Sequence, residues 1–254
     1  MLTLSFLCVF AFAAGLIDAA VGGGGLIQIP ALFNLMPQTP AASLFGTNKL
    51  SSACGTTLAV RSYMGRVPIQ WSLVLPAAIS AFVMSFAGAA AVSSVPQGIL
   101  RPMVLVLIIL MAIYTFIKKD FGTLSRPQAI GRKERILALL IGGAIGFYDG
   151  LFGPGTGSFL IFLFIRFFGF NFLEASASSK LVNLGTNLAA LLYFVPTHNV
   201  IYTIALPMAA SNMTGAFVGS HIAMKYGTRL IRILFLIILV ILIAKLGYDL
   251  FFPA

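Results

Sequence analysis

The chain has 254 residues, of which 59% are hydrophobic and 9% charged, whereas soluble globular domains carry roughly 25% charged residues. That balance excludes a water-soluble globule and makes a lipid bilayer the solvent. The net charge of +10 does not point to nucleic acid, because the basic residues stand at the ends of apolar segments and form no stripe interleaved with aromatics.

In chain order, the first apolar stretch, MLTLSFLCVFAFAAG, resembles the core of a signal peptide but has no basic residue before Lys49. We expect a retained first helix over 2–20. Further helical segments are expected over 25–36, 40–62, 70–93 and 98–117. The stretch Lys118 to Arg135, KKDFGTLSRPQAIGRKER, is polar, basic and holds Gly and Pro, which marks a linker. Beyond it, segments are expected over 134–150, 156–168, 171–194, 201–224 and 229–250. The division is thus 1–117, a first transmembrane repeat; 118–135, the linker; and 136–254, a second repeat. Cys8 and Cys54 lie in apolar stretches without ligand spacing, so neither a disulfide nor a metal site is expected, and no cofactor is implied.

Sliding the sequence on itself by 131 positions, the spacing of Asp18 and Asp149, superposes Gly15/Gly146, Gly22/Gly153, Gly24/Gly155, Lys49/Lys180, Pro76/Pro207, Gly88/Gly219 and Arg101/Arg232. Chance does not align paired Asp, Lys, Arg and Pro at one offset in so charge-poor a chain, so the sequence reads as a duplication with an internal pseudo-twofold axis. The expected fold is all-α, with about 8 transmembrane helices plus broken or re-entrant half-helices, nominally 5+5 segments. A 13-residue second segment would be only ~20 Å long, short of a full crossing.

With four crossings per half the halves run parallel; with five the second half is inverted. Positive charge concentrates on cytoplasmic loops. Leaving out Lys49 and Lys180, the other basic residues divide 9 to 5 with four crossings but 12 to 2 with five, when only Arg101 and Lys245 face away. The inverted arrangement follows, with both termini outside and the basic linker cytoplasmic, where it meets anionic lipid.

An ionisable residue inside a span costs at least ~2.5 kcal/mol and needs a partner or a role. Asp18, Asp149, Lys49 and Lys180 supply one acid and one base per half. In GLIDAAVGGGGLIQIP and GFYDGLFGPGTGSFLI, glycines follow each aspartate, which predicts a break in the helix lining a cavity. Half-helices starting near Gly25 and Thr156 would direct amide groups and a positive dipole end at an anion. Together with the lysines this predicts a cationic site. SLFGTNKLSSACGTT and EASASSKLVNLGTNLAA surround the lysines with small polar residues. Thr47, Asn48, Ser51, Ser52, Ser178, Ser179, Asn183 and Asn187 are candidate oxyanion donors. Asp18 and Asp149 fit counter-ions to the lysines or proton-coupling groups. Competing structural readings are ion pairs of Asp18 with Lys49 and of Asp149 with Lys180 that only fix helix register, glycines that only allow close packing, and interfacial anchoring by Arg101 and Arg232. His198 fits an exposed loop residue or a proton relay. No HExxH motif, Ser/His pair at a plausible depth, activated cysteine or phosphate-binding P-loop is present, which argues against an intramembrane enzyme and against ATP-driven transport within this chain.

The run GLIDAAVGGGGLIQIPAL, the helix GTNKLSSACGTTLA and their diverged copies at 146–164 and 174–192 resemble the TauE/SafE sulfite exporter family across almost the whole chain. The resemblance implies a multi-pass permease of the bacterial inner membrane for sulfite or an organosulfonate such as sulfoacetate, commonly outward. It places the family's glycine-rich break on Gly22, Gly23, Gly24 and Gly25 and on Gly153, Gly155, Thr156 and Gly157, and its polar helix on Thr47 to Ser52 and Ser178 to Asn183. The second break reads GPGTG where the first reads GGGG, so the half-sites should differ. An anion channel, or a carrier of this fold for another small anion, is the alternative. The expected partners are a small anion, anionic lipid and, optionally, a second copy of the chain.

Overall fold

In the computed structural model, residues 2–92 and 130–226 are described continuously, with isolated residues between 94 and 110 and at 237 and 240. The segments expected over 98–117 and 229–250, most of the linker, and Arg101, Arg232 and Lys245 lie outside the described residues. Among the described residues there are eight helices and no strand: α1 Leu2–Val21, α2 Gly25–Leu35, α3 Ala41–Tyr63, α4 Trp71–Val92, α5 Arg132–Leu151, α6 Thr156–Phe168, α7 Phe172–Phe194 and α8 Tyr202–Tyr226. The starts of α2 and α6, of α3 and α7, and of α4 and α8 are each 131 residues apart.

Local chemistry sets these bounds. Gly22 at φ +81°, Gly153 at +85° and Gly155 at +79° occupy the left-handed region, where a Cβ is unfavourable, and they end α1 and α5 before the chain re-enters a helix. Asn171 caps α7: its side-chain oxygen accepts the Glu174 amide at 2.9 Å, and Glu174 accepts the Asn171 amide at 3.0 Å. Glu134 likewise accepts the Gly131 amide at 2.7 Å. This drives α5 to begin at Arg132, inside the stretch read from sequence as linker.

Two described helices, α1 and α4, are long and apolar enough to cross a bilayer, with mean hydropathy 2.2 and 2.0. α3 and α7 fall short because they carry the polar residues of the site. α4 leaves Leu75, Ile79, Val83 and Phe86 exposed, and α8 leaves Leu206 and Phe217 exposed. Such apolar surface suits acyl chains and not water.

The halves interlock. α1 packs on α8 and α5 on α4. Gly142, Gly146 and Gly150 of α5 lie against Ala77, Ala81 and Ser85 of α4 so closely that a Cβ on any of them would overlap the α4 backbone. This is helix packing through small residues. α3 and α7 cross antiparallel, as contacts at one end show. Ser43, near the start of α3, donates to Asn199 beyond the end of α7 at 3.3 Å. The Ile201 amide donates to Thr47 at 3.0 Å, and Gly46 abuts Phe194.

Candidate transport site

Both breaks meet at the centre of the interlocked helices. The Gly22 carbonyl accepts the Ser158 amide at 2.8 Å, and Ser158 Oγ donates to the Val21 carbonyl at 2.9 Å. The end of α1 therefore sits on the start of α6. Gly22 and Gly157 touch backbone to backbone, an approach that a Cβ on either would block.

At this junction lies a small cavity lined by Asp18, Gly22, Gly25, Asn48, Lys49, Ser52, Asp149, Gly153, Gly155, Thr156, Gly157, Asn183 and Asn187. α1 and α5 contribute the aspartates, the two breaks the glycines, and α3 and α7 the amides, hydroxyl and lysine. Every one of these residues is named above from the sequence.

The ion pairs run between the halves. Lys49 Nζ donates to Asp149 Oδ2 at 2.6 Å, and Lys180 Nζ donates to Asp18 Oδ2 at 3.1 Å. The pairing expected within each half, Asp18 with Lys49 and Asp149 with Lys180, is corrected. Each lysine meets the other half's acid, although α1 and α5 also pack on the polar helix of their own half. The expected cationic site is corrected too: with two lysines on two aspartates, the formal charges cancel.

The pairs are unequal. Asp149 also accepts from Thr156 Oγ1 at 2.6 Å on its second oxygen, whereas the second oxygen of Asp18 receives only the Gly24 amide at 3.3 Å. Gly25 stands where the second half has Thr156, which accounts for the missing hydroxyl.

Several expected residues are outside the lining. Lys180 is fully buried behind Asp18. Gly23 and Gly24 shape the turn. Thr47 is tied to Ile201, and Ser179 donates to the Ser176 carbonyl at 2.9 Å. Ser51 and Ser178 are buried with hydroxyls that make no hydrogen bond. Within the lining, the Asn48 side-chain oxygen has no partner, and Asn183 and Asn187 share one long bond of 3.4 Å. Asn183 Nδ2 also donates to Thr186 Oγ1 at 3.4 Å. His198 is exposed at φ +56° in the turn after α7, away from the cavity.

One buried polar pair was not read from the sequence. Asn212 of α8 donates to Gln28 of α2 at 2.8 Å. At the 131-residue offset these positions hold Ala81 and Phe159, so the repeat gives no signal for it.

Residues 7–246 match the family model described as Sulfite exporter TauE/SafE. The chain is 36% identical to the probable membrane transporter protein ORF9 of a Sinorhizobium species, over 97% of this chain and 93% of that one. It is 35% identical to the probable membrane transporter protein YfcA of Escherichia coli strain K12, over 98% and 91%. It is 33% identical to a probable membrane transporter protein of Haemophilus influenzae, over 97% and 95%.

Proposed function

The chain belongs to the sulfite exporter TauE/SafE family, and we propose that this membrane transporter is a secondary carrier that moves sulfite, or an organosulfonate such as sulfoacetate, out across the bacterial inner membrane by alternating access. The observation that carries this reading is the cavity at the meeting of two broken helices, with the Lys49–Asp149 pair and Asp18 in its lining and Lys180 paired to Asp18 from behind. Binding at a junction of broken helices between repeats is how many secondary carriers hold a polar cargo within the membrane.

In this reading Lys49 and the amides of Asn48, Asn183 and Asn187 face the oxyanion, with Ser52 and Thr156 as hydroxyl donors and Lys180 reached through Asp18. The glycines at 22 and 157 let the two breaks meet backbone to backbone, and those at 25, 153 and 155 leave the lining beside the cargo free of side chains. The two halves are inverted repeats. The antiparallel crossing of α3 with α7, helices that occupy equivalent positions at the 131-residue offset, supports this. Because both ion pairs link the halves, opening the cavity to one side must loosen at least one of them.

The test is counterflow in proteoliposomes loaded with unlabelled sulfite, with labelled sulfite outside, comparing the wild type with K49A/K180A. Transient uphill accumulation lost in the variant supports a carrier with its site at the lysines. Accumulation with sulfoacetate but not sulfite changes the cargo and keeps the carrier, and unsaturable downhill flux turns the reading to a channel.

A further inference from the structure

The two carboxylates of the site differ in exposure and in the closeness of their partners. The side chain of Asp149 is 2% exposed, with Lys49 at 2.6 Å on one oxygen and the Thr156 hydroxyl at 2.6 Å on the other. The side chain of Asp18 is 18% exposed and lines the cavity, and its partners stand off at 3.1 Å for Lys180 and 3.3 Å for the Gly24 amide. Lys180 is wholly buried behind it.

With all four groups ionised the cluster is formally neutral, and an entering anion meets the Asp18 carboxylate before it meets Lys180. Like charges at such range repel strongly where the surroundings exclude water. A proton on Asp18 removes that charge and leaves Lys180 uncompensated in a buried position, which is costly unless an anion arrives. Proton and anion therefore favour each other's binding, and the effect is reciprocal.

Taking the carrier reading as given, we propose that Asp18 is the group that takes up the transported proton, so that one proton on Asp18 and one anion at the cavity bind together while Asp149 stays ionised as the fixed partner of Lys49. The other titratable groups acting on Asp18 are Lys49 and Tyr63 of α3 and Asp149 of α5 across the cavity. α2, α6 and α8 present no buried titratable side chain to it. A monoanion carried with this proton moves without net charge, so the membrane potential does not act on the loaded carrier. A proton gradient then drives uptake and opposes export, and outward flow requires an anion gradient that exceeds it.

The test uses the full chain in proteoliposomes with radiolabelled sulfite between about pH 7 and 8, comparing wild type, Asp18→Asn and Asp18→Glu under identical pH, so that sulfite's own protonation cancels. Asn reproduces the protonated side chain, so D18N should lower the half-saturating sulfite concentration at the alkaline end. Under an outside-acid gradient of one unit, D18N should accumulate about tenfold less than wild type, the factor carried by one coupled proton, and D18E should restore the response. D18N that follows the gradient as wild type does would overturn the proposal. So would loss of sulfite binding in D18N that elutes and melts as a folded protein. Absence of counterflow in the wild type itself would overturn the carrier reading, and this one with it.

Discussion

Lys49 and Asp149, 100 residues apart in the chain, close a 2.6 Å ion pair that joins α3 of the first half to α5 of the second, with both side chains 2% exposed. Removing one partner of such a pair leaves a buried charge uncompensated, at a cost of about 3–5 kcal/mol, while removing both is far milder. Asp149→Ala alone should therefore lower the melting temperature in detergent sharply, and K49A/D149A should recover most of the loss. A double variant no more stable than D149A would mean that the two charges do not compensate each other.

The crossing of α3 with α7 predicts sidedness. In the inverted arrangement the loop carrying Arg66 is cytoplasmic and the turn carrying His198 is outside; with parallel repeats both lie on one side. Both residues are exposed. On a background with Cys8 and Cys54 replaced, R66C and H198C should react with a membrane-impermeant thiol reagent from opposite faces of the membrane. Labelling from the same face would overturn the inversion.

Two glycines in the left-handed region separate strain from space. Gly65, at φ +76°, has open room where a Cβ would go, whereas Gly22, at φ +81°, has the backbone of Gly157 and Ser158 there. Gly65→Ala should cost only the conformational penalty of about 1–2 kcal/mol. Gly22→Ala must also push α6 off the end of α1, so it should abolish transport and lower the yield of folded protein. Equal melting temperatures for the two variants would show that the α1–α6 contact is not tight.

Helix positions were legible because their signals are local. The glycines after Asp18 and Asp149 interrupt the helix wherever the chain goes next, and the starts at Gly25 and Thr156 follow. The lining residues were legible because buried polar groups are rare enough in this composition to stand out one by one. The partners of the charges were not. Asp18 is nearer in sequence to Lys49 than to Lys180, and only the three-dimensional packing of the helices decides the pairing. The Gln28–Asn212 pair was hidden because nothing in the sequence links two amides 184 residues apart.

The asymmetry of the half-sites rests on one hydroxyl. Thr156 Oγ1 donates to Asp149 at 2.6 Å and lies 3.0 Å from the Gly153 carbonyl oxygen, so it holds the carboxylate to the turn that opens α6. A hydrogen bond to a charged acceptor contributes about 1.5–3 kcal/mol. Valine has the shape of threonine without the donor. Thr156→Val should therefore lower stability by that amount and loosen Asp149 from Lys49, with a fall in sulfite counterflow, and Thr156→Ser should retain both properties. If T156V and T156S behaved alike, the hydroxyl would have no part in holding Asp149, and the difference between the two carboxylates would have to come from their burial alone.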